Sequence, residues 1–345
     1  MIDLRSDTVT KPNDEMRNCM KNAIVGDDVF GEDPTILLLE NRIAEMFHKE
    51  CALFFPSGTM SNLTALLTWC DSRGSEVIVG DKSHIFLFEQ SGASQFGGIS
   101  YRTLENNDDG TMDVEAIKQS IRENDIHEPI TRLICIENTH NVCGGKILPL
   151  EFISKIRKIA NQHHIPIHMD GARIWNAISA SGIEPSEMVK NVDSISVCLS
   201  KGLGAPVGSL LVGTTEFIKK AKRIRKALGG GMRQSGVLAA AGLVALDDFR
   251  SGILIKDHEK TRKIVDGLKR MKNMVVHSNI QTNIIFIDVL QGDASEISFH
   301  LKHENIFVSA WSSNLLRIVI HRDISDENVD VIISKFMEVD SKINH

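Results

Sequence analysis

The chain has 345 residues, 42% hydrophobic and 24% charged, with 45 acidic against 39 basic side chains and a net charge of −6. That composition supports a large buried core and, at this length, one large domain with a smaller one. It offers no basic field for a polyphosphate backbone, and no run approaches the roughly 18 apolar residues that a bilayer span needs. Nucleic-acid and membrane partners are therefore excluded from the expectation, which is a soluble cytoplasmic protein.

The N-terminus, Met1-Ile2-Asp3-Leu4-Arg5-Ser6-Asp7, carries charge at once and does not read as a leader. Six cysteines, Cys19, Cys51, Cys70, Cys135, Cys143 and Cys198, are scattered without a CxxC pair, so reduced and mostly buried thiols are expected. From residue 52 to about 213, short apolar runs alternate with segments of helical period. The predicted strands are Ala52–Phe55, Glu76–Val79, Arg132–Glu137, Pro166–Asp170, Ser194–Leu199 and Ser209–Val212, with helices such as Leu150–His163 between them. This alternation predicts a mostly parallel sheet, with ligands beyond the carboxyl ends of its strands. Ser57-Gly58-Thr59, His84, Glu137-Asn138-Thr139-His140, Asp170 and Ser200-Lys201 all fall at such ends.

A Gly-rich stretch, residues 228–236, precedes the helical segment Ala239–Asp247; three consecutive glycines suit a close backbone approach, or simply a flexible loop. Beyond Ser251 come the helical segment Lys256–Met271, strand Asn283–Val289, helix Ala294–Asn305, strand Leu315–His321 and a last helix. The expected division is a large domain over 1–250 and a small α+β domain over 251–345, closely packed because no Pro/Gly/Ser linker separates them.

Lys201 follows an apolar strand and precedes Gly202-Leu203-Gly204, which leaves room around its amine. A lysine in an apolar pocket has a lowered pKa and can attack a carbonyl, as in a Schiff base with pyridoxal phosphate (PLP). Taken alone, an exposed surface lysine is the better reading. Asp170 ends another strand, where a carboxylate can pair with a pyridine nitrogen, or merely cap a helix. Ser57, Gly58 and Thr59 lie at a strand-to-helix junction that can cradle a phosphate on backbone N–H groups, as any N-cap might look. His84 could lie against a cofactor ring or sit on a surface loop. His163, His164 and His168 lack a Cys or carboxylate at zinc spacing, and no metal site is expected. In combination, the strand-end Asp170, the strand-end Lys201 and the upstream cup point to PLP.

With these motifs, the chain resembles the L-threonine aldolases, which have an aspartate-aminotransferase-like PLP fold (fold type I). The likeness runs through residues 1–10, 25–35, Pro56-Ser57-Gly58-Thr59, Ile136-Glu137-Asn138-Thr139-His140-Asn141, Asp170-Gly171-Ala172-Arg173, Leu199-Ser200-Lys201-Gly202-Leu203 and Gly229-Gly230-Gly231-Met232-Arg233-Gln234. The resemblance implies that Lys201 is the Schiff-base lysine, Asp170 the partner of the pyridine nitrogen, Ser57, Gly58 and Thr59 the phosphate cup, and His84 the ring-stacking histidine. It implies that Ser6, Arg173 and Arg317 hold a substrate carboxylate, which suits the planar guanidinium fork. His127 matches a histidine near the substrate β-hydroxyl, and Arg233 one that reaches a neighbouring subunit's phosphate. The implied reaction is retro-aldol cleavage of L-threonine or L-allo-threonine to glycine and acetaldehyde, with His84 or His127 as the base, in a homotetramer that is a dimer of dimers. Cys143 stands where the family varies and Phe30 where it commonly has tyrosine. An aminotransferase or a β-eliminating lyase would share Lys201, Asp170 and the cup; a nucleotide-dependent oxidoreductase is disfavoured because no GxGxxG follows the first βα strand.

Overall fold

A computed structural model describes residues 1–343. The chain opens with a short strand, Ile2–Asp3 (β1), and then builds a seven-stranded sheet from Cys51–Phe55 (β2), Ser75–Gly80 (β3), Ser100–Leu104 (β4), Ile130–Glu137 (β5), Ile167–Gly171 (β6), Ser194–Cys198 (β7) and Ser209–Gly213 (β8). The order across the sheet is β2-β8-β7-β6-β5-β3-β4. Strands β4, β3, β5, β6 and β7 are parallel, and β8 runs antiparallel to both of its neighbours. Only residues 199–208, with no helix among them, join β7 to β8, and a parallel return needs a longer crossover. The reversal therefore follows from the short loop that carries Lys201.

Strands β3, β6, β7 and β8 are buried along their whole length, because helices cover both faces of the sheet. Each fully buried Ile or Leu there contributes about 1.5–3 kcal/mol. Trp175 anchors the layer beneath the Lys201 loop: its Nε1 donates to the Cys198 carbonyl at 2.9 Å, and its ring packs between Phe47 and Phe249. Strand β4 escaped the sequence reading. It lies at the sheet edge with Ser100 and Thr103 exposed, so neither an apolar run nor clean alternation marks it. The cysteines are free thiols; Cys70, Cys135 and Cys198 are buried, Cys51 and Cys143 half-buried and Cys19 exposed, so burial is less general than expected.

The C-terminal region adds Met274–Val276 (β9), Ile284–Val289 (β10), Ile306–Phe307 (β11), Ser309–Ser312 (β12) and Leu315–Val319 (β13). An antiparallel sheet in the order β12-β13-β10-β9 packs Ile285, Ile287, Leu316 and Ile318 against helices Ile253–Leu268, Ala294–His303 and Asp326–Lys342. Successive strand residues point to opposite faces, so Phe286, Leu315, Arg317 and Val319 turn away from those helices. The N-terminus crosses to this region. β1 pairs with β11 in parallel, Ile2 and Leu4 join its core, and the Leu4 carbonyl accepts from the Val319 amide at 2.8 Å. That threading delivers Ser6 and Asp7 beside Arg317.

Candidate active site

The carboxyl ends of β5 and β6 lie side by side, with Glu137 in register with Asp170. Asp170 is buried. Its Oδ1 accepts from the Ala172 amide at 3.0 Å and its Oδ2 from Asn62 Nδ2 at 3.0 Å, and no Lys or Arg pairs with it among the described residues. The adjoining helix starts at Ile174 with Arg173 in the cap position, so Asp170 is not its N-cap. Asn62 Nδ2 also donates to Glu89 Oε1 at 2.9 Å, and that oxygen lies 2.9 Å from His84 Nδ1. The His84 main-chain amide donates to Glu137 Oε2 at 2.7 Å. Burial opposes a proton on His84, but the Glu89 hydrogen bond and the charges of Asp170 and Glu89 outweigh it and raise the imidazole above its usual value. Burial likewise raises the Glu89 carboxyl, with Asp170 adding to the effect.

Lys201 lies just past β7, its carbonyl accepting from Thr10 Oγ1 at 2.8 Å. Its ammonium forms no ion pair among the described residues, yet lies close enough to help lower the Asp7 carboxyl and to oppose protonation of His84. The structure thus brings Lys201, Asp170 and His84 near one another.

The segment expected to form a phosphate cup opens helix Gly58–Trp69. Ser57 is the N-cap and its Oγ accepts from the Met60 amide at 3.2 Å, while the first-turn amides of Gly58 and Thr59 make no hydrogen bond within the described residues. A Cβ on Gly58 would meet Cys198 Sγ at 2.7 Å, so only glycine lets the backbone sit this close to β7. At about 1.5 Å rise per residue, the cup precedes Asn62 by roughly 7 Å along the helix. A phosphate at one end and a ring nitrogen against Asp170 at the other fit that span. His84, Glu89 and Asp170 also present donor atoms within 4.8 Å of one another, a set that could hold a cation and that the sequence reading did not foresee. The unpaired buried Asp170, the orphan amides and the lone Lys201 together match PLP.

A second cluster faces this end from the C-terminal sheet. Arg173 donates from Nε and NH2 to both oxygens of buried Asp7, at 2.9 and 2.7 Å. Burial opposes ionisation of Asp7, but Arg173, with help from Lys201 and Arg317, holds its carboxyl well below the usual range. Arg173 NH1 and Arg317 NH2 both donate to Asn141 Oδ1, at 3.1 and 2.8 Å. Arg317 is buried against the Trp311 ring, and its remaining bond goes to the Arg5 carbonyl at 3.2 Å. Its Nε is buried without a partner among the described residues. Burial, with the neighbouring Arg173 charge, lowers Arg317 to about 9. Ser6 lies alongside, capping the short helical turn at Asp7.

Two predicted residues stand apart. His127 sits on the loop before the amino end of β5, whereas the site lies at the carboxyl ends; its side chain is 82% exposed and its Nδ1 lies 2.7 Å from Asp125. The chain does not bring it to His84. Arg233 is 54% exposed, pairs with Asp27 at 2.8 Å and lies over the Phe30 ring. His168 is a satisfied core histidine, bonded to Ser194 and Asn62, and burial lowers it to about 4. Asp7, Asn62, Glu89 and Asn141 belong to the site but were not singled out. Asp7, Asn62 and Asn141 fall within or beside the motif segments, which was their only signal; Glu89 had none.

Residues 3–290 match the beta-eliminating lyase family. The chain is 48% identical over 343 residues to low-specificity L-threonine aldolase 1 of Arabidopsis thaliana, covering 98% of this chain and 96% of that one. It is 43% identical over 329 residues to the low specificity L-threonine aldolase of Escherichia coli K12, covering 95% and 96%. A threonine aldolase structure from Leishmania major superposes with a TM-score of 0.82 at 19% identity, over 98% of this chain and all of the other, and so supports the fold. With identity at this level over nearly the full length, and with the PLP-type arrangement of Lys201, Asp170 and the cup, this chain belongs to the low-specificity L-threonine aldolase family.

Proposed function

We propose that the chain cleaves L-threonine and L-allo-threonine to glycine and acetaldehyde, with PLP as cofactor. The observation that carries this reading is the pairing of a Schiff-base-type lysine and a buried strand-end carboxylate with a two-arginine seat one carboxylate short of balance. When bound, PLP supplies an electron sink for a bond broken at the substrate α-carbon. Lys201 would hold it covalently, Asp170 would face its ring nitrogen, and Ser57, Gly58 and Thr59 would hold its phosphate.

Arg317 is the cation available to a substrate carboxylate, because Arg173 is already committed to Asp7 on two bonds. Ser6 and the Arg173 NH1 group, which lies outside the Asp7 pair, complete that grip. Fixing the carboxylate fixes which bond at the α-carbon is presented for cleavage. In neutral His84, the Glu89 bond at Nδ1 favours the proton there, leaving Nε2 as a lone-pair acceptor suited to take the β-hydroxyl proton. His127 can serve that role only from another copy of the chain. Arg233 is likewise assigned to a neighbour's phosphate, in a homotetramer built as a dimer of dimers; the exposed Phe30 ring against Arg233 supports an apolar contact there. No helix among the described residues is long and apolar enough to cross a membrane, which accords with a cytoplasmic assignment. We keep the domain division at residue 250, except that Ile2 and Leu4 pack with the C-terminal part.

The test is direct. Purified protein is incubated separately with L-threonine and L-allo-threonine, and acetaldehyde and glycine are measured. Keto acid and ammonia in place of aldehyde would mean a β-eliminating lyase, and amino acid converting the cofactor to its amine form would mean an aminotransferase.

A further inference from the structure

Two guanidinium groups, one carboxylate and one neutral amide meet at the seat of the second cluster. Asp7 balances Arg173 through a bidentate pair, whereas Arg317 has no carboxylate partner among the described residues. Its one hydrogen bond to another side chain among the described residues goes to the Asn141 carbonyl oxygen, which Arg173 shares. An amide oxygen has two lone pairs and can accept both bonds, but it carries only a partial charge where two cations converge. Turning the amide over would aim donors at donors, so Oδ1 must face the arginines. Asn141 Nδ2 makes no hydrogen bond among the described residues, so only these two bonds hold the side chain in place.

The main chain at Asn141 is fixed from elsewhere. Glu137, buried at the end of β5, accepts from the Asn141 amide through Oε1 at 2.8 Å and from the His84 amide through Oε2 at 2.7 Å. One carboxylate therefore ties the ring-side histidine to the arginine seat.

We propose that Asn141 is a positioning residue whose side-chain carbonyl holds Arg173 and Arg317 together in the carboxylate seat until a substrate carboxylate takes its place, and that Glu137 anchors it there. The inference rests on the reading of Arg317 as the substrate-carboxylate residue. A carboxylate brings a full charge and two oxygens, one of which can meet the unpartnered Arg317 Nε, so exchange with the amide is favourable. Without the amide, the two like charges lose their common acceptor and the empty seat opens.

The test uses Asn141→Asp and Asn141→Ala in the holoenzyme, with Arg317→Lys in parallel. Asn141→Asp is isosteric and places a permanent carboxylate in the seat. Glycine affinity, read from the cofactor's visible spectrum, should fall roughly ten- to a hundredfold, with KM for L-threonine rising alongside while kcat changes by less than about threefold. The spectrum before glycine is added should match the unsubstituted protein. In cofactor-free protein, Asn141→Asp should raise the melting temperature, because Arg317 gains an anionic partner, and Asn141→Ala should lower it. Glycine affinity within about twofold of the unsubstituted protein for Asn141→Asp, or a lower melting temperature for that variant, would overturn the proposal. If Arg317→Lys also binds glycine normally, the reading of Arg317 itself fails; if Arg317→Lys weakens binding and Asn141→Asp does not, only the role of Asn141 is lost.

Discussion

Helix Gly58–Trp69 carries Ser57 at its cap and Asn62 beside Asp170, and these two ends of the candidate site differ in completeness. At the Asn62 end, the Asn62 amide nitrogen, Asp170, Glu89 and His84 are joined by hydrogen bonds of 2.9–3.0 Å contributed by one chain. At the Ser57 end, Ser57 and Thr59 are exposed and two first-turn amides have no acceptor among the described residues. A buried end must be satisfied within the fold, since an unpaired polar group there costs about 1–3 kcal/mol. An exposed end can wait for a ligand and for a neighbouring copy. The contrast separates chemistry that one subunit prepares from binding that, on the proposed reading, a neighbouring copy completes.

The largest expected effect breaks the chemistry outright. Lys201→Ala should abolish turnover, and borohydride treatment of the unsubstituted holoenzyme should leave the pyridoxyl group on Lys201 in a peptide map; label on another lysine would refute the assignment. Next comes the prepared end. Asp170→Ala should keep cofactor bound through the cup yet lose about a hundred- to a thousandfold in kcat, the scale of removing one preorganised electrostatic partner. An unchanged kcat would mean that Asp170 is structural.

Arg317→Lys keeps the charge and loses the fork, so kcat/KM should fall about ten- to a hundredfold with little change in the substrate-free spectrum. Loss of cofactor with normal glycine binding would move Arg317 to the phosphate. The waiting end should respond more weakly: Arg233→Ala should lower PLP affinity about tenfold, an effect measured by cofactor titration and tied to the oligomer. If a dissociated single subunit of the unsubstituted protein binds PLP as tightly as the assembly, no neighbour completes the cup.

The smallest effect concerns pH. Glu89 and Asp170 hold the proton on His84, so a base at His84 should lose activity as pH falls through a value above the ordinary imidazole range. Glu89→Gln removes one anion, lowers the His84 value and should move the acid limb of kcat/KM to lower pH. A limb that stays in place would assign the base elsewhere.

Much of this arrangement was legible along the chain. Apolar runs ending in Asp170 and ahead of Lys201 are local patterns, and the buried interior of the sheet requires them wherever the fold places those strands. The cup could be read because an N-cap serine and a glycine at a strand-to-helix junction have a local physical reason to be there. Three-dimensional packing settled the partners. Asp7 meets Arg173 only because β1 crosses to pair with β11, and Arg317 faces the seat only because strand alternation turns it away from the helices that bury Leu316 and Ile318. Glu89 carried no signal, since an acidic residue in a short loop looks solvent-exposed until the fold buries it against His84 and Asn62. His127 shows the converse: the resemblance placed it near the substrate β-hydroxyl, while its loop lies before the amino end of β5, so within one chain it stands apart from His84. Local pattern encodes which residues end a strand or start a helix, because those choices depend on near neighbours; which distant ends meet depends on strand order and chain threading, to which many residues contribute and no short segment points.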